Sequence, residues 1–355
     1  MATNETKHTK ARIGLKQIAE RAGVSVGSVS SVINNRGTER RIPQKTADSI
    51  RKAASELGYL PNVSARRLRS SSAQKNPVVI ALITSFEAPI PLSHHFLRSL
   101  REATQQASVE NQNYHYSLTI EMFTAGKLHE IPSILTGDHF NAALILNTVP
   151  QDDMYLKRSK LPYPVVLVNR SIPGYTCILE EDVCGIRPAE VFAEMARKQP
   201  AILYGLPLTQ STDKRVDFYM QTCLEKFGQR PFEIISDSLS EMEGYRAVSS
   251  FLKAGQKADC IYAVSDALAI GAYRAIQEAG LSIPEDIAVI GVGDYNIAPF
   301  MHPPLSCMGV SHEQLARLAS ESLMKSLFAY GSSPEVHHAT TIESLRQSTN
   351  HCKLS

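Results

Sequence analysis

At 355 residues and 39.1 kDa the chain is longer than one ordinary domain, so two or three are expected. A hydrophobic content of 43%, a charged content of 20% and 19 residues each of Gly and Pro exclude a collagen-like, low-complexity or wholly disordered polypeptide. The net charge is only +2, yet residues 1–76 carry 15 Lys and Arg against 5 Asp and Glu, while the rest carry 22 against 30. One end is therefore built to meet a polyanion and the remainder is not.

In chain order, residues 1–13 have no apolar face and read as a disordered tail. They lack the apolar core of a secretory signal, and no later stretch approaches the roughly 20 apolar residues of a membrane helix. From Leu15 the pattern is helical: Leu15, Ile18, Ala19 and Ala22 share one face and Gly23 stops the helix. Ser25 caps a second helix with Val29, Val32 and Ile33 inward. A polar turn at Asn34-Asn35-Arg36-Gly37 follows. Pro43 then opens a third helix with Ala47, Ile50, Ala54 and Leu57 inward and Gly58 at its end. Residues 14–60 thus form a small three-helix bundle. Residues 61–76 are basic and then Ser-rich, a linker whose start has room for a helix too short to be stable alone.

Beyond residue 77 short apolar runs alternate with helical patterns. The predicted strands are 78–84, 116–122, 142–149, 165–169, 201–205, 232–236, 260–265, 287–293 and a weaker 305–310, with helices such as Phe96–Glu110, Glu241–Lys253 and Ala267–Glu278 between them. Runs of this kind separated by helices imply parallel sheet covered on both faces. Nine or ten strands are many for one open sheet, so residues 77–355 read as two α/β lobes. Ligands of such folds sit at the carboxyl ends of strands, which makes post-strand residues the candidates for a cleft.

The six cysteines (Cys177, Cys184, Cys223, Cys260, Cys307 and Cys352) show no CxxC spacing and read as reduced, buried thiols of a cytoplasmic protein. No dinucleotide fingerprint, P-loop, GxSxG or HExxH motif is present, and the adjacent pairs His94-His95 and His337-His338 are poorly disposed to share a metal. No enzymatic activity, cofactor, metal site or membrane contact is expected.

The segment LKQIAERAGVSVGSVSSVIN (residues 15–34) is a helix, a tight turn and a second helix, the arrangement in which the second helix enters a major groove. Its outward positions are read as Val26, Gly27, Ser28 and Ser31. An ordinary helical hairpin is the plain alternative. The AGVS turn, the third helix and the basic head favour DNA.

These residues, together with ELGYLPNVSARRLRS and SDALAIGAYRAIQEAGLSIPEDIAVIGVGD, resemble the lactose-repressor (LacI/GalR) family of bacterial transcription regulators from about residue 14 to 350. The resemblance implies an all-α helix-turn-helix head plus hinge helix. A two-lobed, periplasmic-binding-protein-like α/β core with parallel sheets, which also dimerises, would follow. It implies a regulator, a repressor in most of the family, that binds double-stranded operator DNA as a homodimer and is modulated by a small sugar-like effector. A core that has lost its ligand, or a soluble sugar-binding protein, are the alternative readings; the second would need a signal peptide and no basic head.

Residue by residue, the resemblance assigns DNA contacts to Ser25, Val26, Gly27, Ser28, Ser31, Asn34, Arg40 and Arg41 in the head. In a hinge helix over residues 62–69, folded only on DNA, it assigns Asn62, Ala65, Arg66, Leu68 and Arg69. Leu68 would wedge between central base pairs in the minor groove. Val26, Gly27 and Ser31 are smaller than the family's usual side chains, and none makes a bidentate contact to guanine. The loop NNRGTERRIP is longer than usual by about three residues. Effector contacts fall to Ser85, Asn147, Asp182 and Arg215 and, on the other lobe, Ser265, Asp266 and Asp294. A carboxylate facing an Arg suits vicinal hydroxyls. Gly293, Ser265, Leu239 and Phe218 depart from the family's residues in this cleft.

Overall fold

The computed structural model describes residues 14–33, 42–57, 76–88, 90–112, 114–131, 134–135, 139–159, 161–293, 297–328 and 333–350. The expected roles of Asn34, Arg36, Arg40, Arg41, Gly58, the hinge residues 62–69 and Asp294 fall outside these residues.

The head is three helices, α1 (Leu15–Ala22), α2 (Val26–Ile33) and α3 (Gln44–Glu56). They form because each presents an apolar stripe too narrow to be satisfied alone. Ile18, Ala19, Val29, Val32, Ile33, Ala47, Ile50, Ala53 and Ala54 meet in one buried core, as the spacing predicts. The turn between α1 and α2 is closed by Gly23 in the left-handed region and by the Ser25 Oγ, which accepts the Ser28 amide at 3.1 Å. Arg21 and Glu56 pair at 3.0 Å on the surface and tie α1 to α3.

The remainder folds into two lobes, each with a six-stranded sheet. In chain order the elements are β1 (Asn76–Ser85), α4 (Ile90–Glu110), β2 (Tyr114–Phe123), β3 (Ala142–Ile145), α5 (Pro150–Arg158), β4 (Val165–Val168) and β5 (Thr176–Glu180). There follow α6 (Val183–Glu194), β6 (Pro200–Gly205), α7 (Gln210–Phe227), β7 (Phe232–Ser236), α8 (Glu241–Lys253), β8 (Cys260–Ala263) and α9 (Asp266–Glu278). The chain ends in β9 (Ala288–Val292), β10 (Ser306–Gly309), α10 (His312–Phe328), β11 (Val336–Ala339) and β12 (Ile342–Ser344).

The first sheet has the order β11-β5-β4-β3-β1-β2 and the second β12-β10-β9-β8-β6-β7. Every pairing is parallel except β10 with β12. Strands β3, β4, β6, β8, β9 and β10 are buried along their whole length, which is why they read as unbroken apolar runs. The chain passes between lobes three times, from β5 to α6, from β10 to α10 and from β11 to β12. Helix α10 accordingly packs with β1, β3 and β4 in the first lobe's core, whereas α6 packs in the second's.

Three strands depart from the sequence reading by being absent from it. β5 is only five residues and ends in Glu180, β11 contains the His337-His338 pair, and β12 is three residues long. Others end earlier than expected. β3 stops at Ile145 and Asn147 takes φ 52°, β4 stops before Asn169 at φ 59°, and β8 stops before Ser265, which caps α9. A polar residue follows within two positions of the strand end in each case.

Candidate functional site

In the head, α2 offers a small surface. Val26 is 46% exposed, Gly27 is exposed and Ser28 half-buried, so three expected base-reading positions do face outward. Ser31 does not. It is buried, and its hydroxyl turns back along the helix to donate to the Gly27 carbonyl at 2.8 Å. The Ser25 hydroxyl is exposed but is engaged as the helix cap and with Ser28 Oγ at 2.9 Å. The exposed residues of α2, Val26 and Gly27, therefore lie in its first turn.

Three strand ends of the first lobe carry polar residues, and of these Asn169 lines a cavity beside the second lobe. Ser85, at the end of β1, is buried. Asn147 and Asn169 leave adjacent strands β3 and β4, both in the left-handed region. Arg170, read by nothing in the sequence pattern, holds these two ends. It is fully buried, with its Nε donating to Val168 O at 2.8 Å and its Nη1 to Thr148 O at 2.9 Å and to Thr148 Oγ1. Burial pushes its pKa down to about 10, opposed by Asp153 and Asp152.

Arg215 comes from α7 in the second lobe and reaches Glu180 at the end of β5 in the first. Its Nη2 donates to Glu180 Oε2 at 2.5 Å and its Nη1 to the Val264 carbonyl at 3.1 Å. The two side chains are only 14% and 9% exposed. Burial works against the Arg215 charge, but the Glu180 carboxylate outweighs it and the pKa is raised. The approach is permitted by Gly185 of α6, where a Cβ would lie 2.7 Å from the Arg215 carbonyl oxygen. A cavity lined by Asn169, Glu180, Gln210, Lys214, Arg215 and Phe218 lies beside the pair. Asp182 lines it too, exposed and 3.7 Å from Lys214 Nζ.

The remaining expected residues are used otherwise. Ser265 accepts the Leu268 amide at 3.3 Å as the cap of α9. Asp266 is completely buried and accepts the Cys307 thiol at 3.3 Å. Leu239, at the position expected to stack, packs against the second lobe's core. His312, the first residue of α10, sits 6.0 Å from the His95 ring. Burial, then His95 and Arg215, push its pKa down to about 3.

Glu180 and His312 escaped the sequence reading because their partners lie far away in the chain, and Arg170 because its hydrogen bonds go to neighbouring strand ends that no side-chain pattern marks. Reading residues 176–180 as a strand would have exposed Glu180 as a post-strand candidate.

Residues 14–62 match the sequence model described as bacterial regulatory proteins, lacI family, and residues 192–349 match that of a periplasmic binding protein-like domain. The HTH-type transcriptional regulator GalR of Streptococcus thermophilus is 28% identical over 344 residues, covering 94% of this chain and 99% of its own. The probable repressor ExuR of Bacillus subtilis is 26% identical over 317 residues, 88% of this chain and 91% of its own. Among solved structures, the lac repressor dimer bound to operator and the anti-inducer ONPF superposes with a TM-score of 0.66 at 21% identity, over 96% of this chain and 99% of that one. A CelR–cellobiose complex gives 0.65 at 21% identity, over 95% and 100%. The chain thus joins a region matching the bacterial regulatory proteins, lacI family, over residues 14–62 to a periplasmic binding protein-like domain over residues 192–349, and the full-length relatives align across both.

Proposed function

We propose that the protein is a sequence-specific transcriptional repressor that binds a pseudo-palindromic operator as a homodimer. Its DNA binding is modulated by a small effector, a sugar or sugar derivative, held between the lobes. Residues 14–60 form the reading head, residues 61–76 the hinge and linker, and residues 77–355 the core that binds effector and pairs with a second copy. The observation that carries this reading is the joining, in one chain, of a helix-turn-helix head to a core whose lobes meet through a polar crossing. The relatives add weight: one solved regulator holds cellobiose, and the lac repressor is seen as a dimer on operator.

Large apolar side chains stand exposed on both lobes, among them Ile90 and Phe86 on the first and Phe300 and Met242 on the second. Surface of that kind suits a partner copy. The reading assigns no enzymatic activity and no cofactor, and it places the protein in the cytoplasm with its DNA. Among the described residues no helix is long and apolar enough to cross a membrane.

The test is fluorescence anisotropy on an operator selected from random duplexes, titrated with galactose, ribose, cellobiose and a wider sugar panel. Coupling between the two sites is expected to change operator affinity by roughly 5- to 150-fold for the true effector. Affinity unmoved by every neutral and acidic sugar would remove the effector from the account and leave a constitutive DNA-binding protein.

A further inference from the structure

Two buried polar atoms beside the cleft have no hydrogen-bond partner among the described residues: the Asn169 Oδ1, an acceptor, and the Arg215 Nε, a donor. Both residues line the same cavity. Leaving such groups unmatched costs free energy, so whatever fills the cavity, water or a ligand that displaces it, supplies both a donor and an acceptor. The rest of the Arg215 guanidinium is already committed, to Glu180 and to the Val264 carbonyl. Its positive charge is neutralised from within before any ligand arrives. The other charges nearby are those of Lys214, Asp182 and Glu181. Lys214 faces Asp182 at 3.7 Å, and Glu181 accepts the Thr341 amide at 2.9 Å.

We propose that Glu180 sets the charge class of the effector, admitting uncharged hydroxyl-bearing ligands and excluding carboxylates and phosphates. A hydroxyl meets both unmatched atoms at once, accepting from Arg215 Nε while donating to Asn169 Oδ1. A carboxylate has no hydrogen to give Asn169, and to reach Arg215 it must approach the Glu180 carboxylate, which repels it. The proposal rests on the reading that this cleft is the effector site.

The experiment uses the full chain, its Glu180→Gln and Glu180→Ala variants, and the double variant Glu180→Ala/Arg215→Gln. Galactose, galacturonate, inorganic phosphate and acetate are the probes, at matched ionic strength, with thermal midpoint and calorimetric titration as readouts. The wild-type protein is expected to be indifferent to galacturonate, phosphate and acetate. Each single variant is expected to bind galacturonate at least about tenfold more tightly, the scale of one hydrogen bond to a charged group. In Glu180→Ala, acetate should refill the vacated place and restore part of the lost midpoint, and the double variant should lose both gains.

Wild-type protein that binds galacturonate as tightly as the variants overturns the proposal. So do single variants that fold and gain no anion binding. Should both variants fail to fold, the wild-type comparison decides alone, because anion binding at the cleft of the intact protein contradicts the masking of Arg215. If operator affinity ignores every sugar while Glu180→Ala gains acetate-dependent stability, the effector reading fails and the masking stands.

Discussion

Several of the polar residues expected or found in the cleft act first on the backbone. Asn147 and Asn169 end their strands in the left-handed region, and Ser265 ends another by capping the next helix. A sequence reading extends β3, β4 and β8 through these residues because the apolar runs continue around them. Short polar residues that tolerate left-handed backbone or compete for amides were the missing signal. Ser31 shows the reverse failure. Helical spacing turns it outward with Gly27, but its hydroxyl bonds the backbone four residues earlier and the side chain is lost to base contact.

His312 gives a test at this scale that depends on pH. Its folded-state pKa is about 3 against an ordinary 6.5, so the unfolded chain binds the extra proton between those values. The stability gained from keeping the ring neutral is present in full above pH 6.5 and is lost as the pH falls toward 3. Urea midpoints between pH 5 and 7, above most carboxylate titration, should fall with pH in the wild type and much less in His312→Gln. Parallel slopes for the two proteins would show that the ring is not held neutral by its surroundings. Leu68, assigned by resemblance alone, gives a second test. Leu68→Ala should cost on the order of a few kcal/mol of operator binding while leaving non-specific DNA affinity and the thermal midpoint unchanged. Wild-type operator affinity in that variant would make Leu68 part of a simple tether.

At the scale of elements, the three-helix head and most of the core were legible because their burial is complete. A strand covered on both faces has nowhere to put a polar residue, so its sequence is its signature. The missing strands were those at or near sheet edges or crossings. β5 ends in charge at the passage between lobes, β11 flanks the first sheet with two histidines, and β12 is the outermost strand of the second. Their pairing partners are distant in sequence, and no local pattern announces them. The α8–α9 contact is another long-range feature, made possible by Gly244 and Gly271. A Cβ on Gly271 would lie 2.0 Å from the Glu241 carbonyl oxygen and 2.5 Å from the Tyr245 nitrogen, both backbone atoms that cannot swing aside. Gly271→Ala must push the helices apart, and overpacking of this kind costs about 1–3 kcal/mol or more. Chemical denaturation that found Gly271→Ala as stable as the wild type would mean that the two helices separate freely.

At the scale of the whole molecule, the charge split along the chain foretold the division of labour, and the lobes are linked where their polar groups meet. The chain crosses three times near Glu180, His312 and Thr341, and the Glu180–Arg215 pair bridges the lobes directly. A ligand that engages Asn169 on one lobe and Arg215 on the other therefore acts on the angle between them. That angle reaches the DNA through the spacing of two heads on their half-sites. The most direct measurement is footprinting of the intact protein on the duplex it selects from a random pool, with the protein stoichiometry determined on the same complex. Two chains protecting a pseudo-palindrome, with half-site centres about one helical turn or roughly 10 base pairs apart, are the predicted result. Protection of a single asymmetric half-site by one chain would contradict the account.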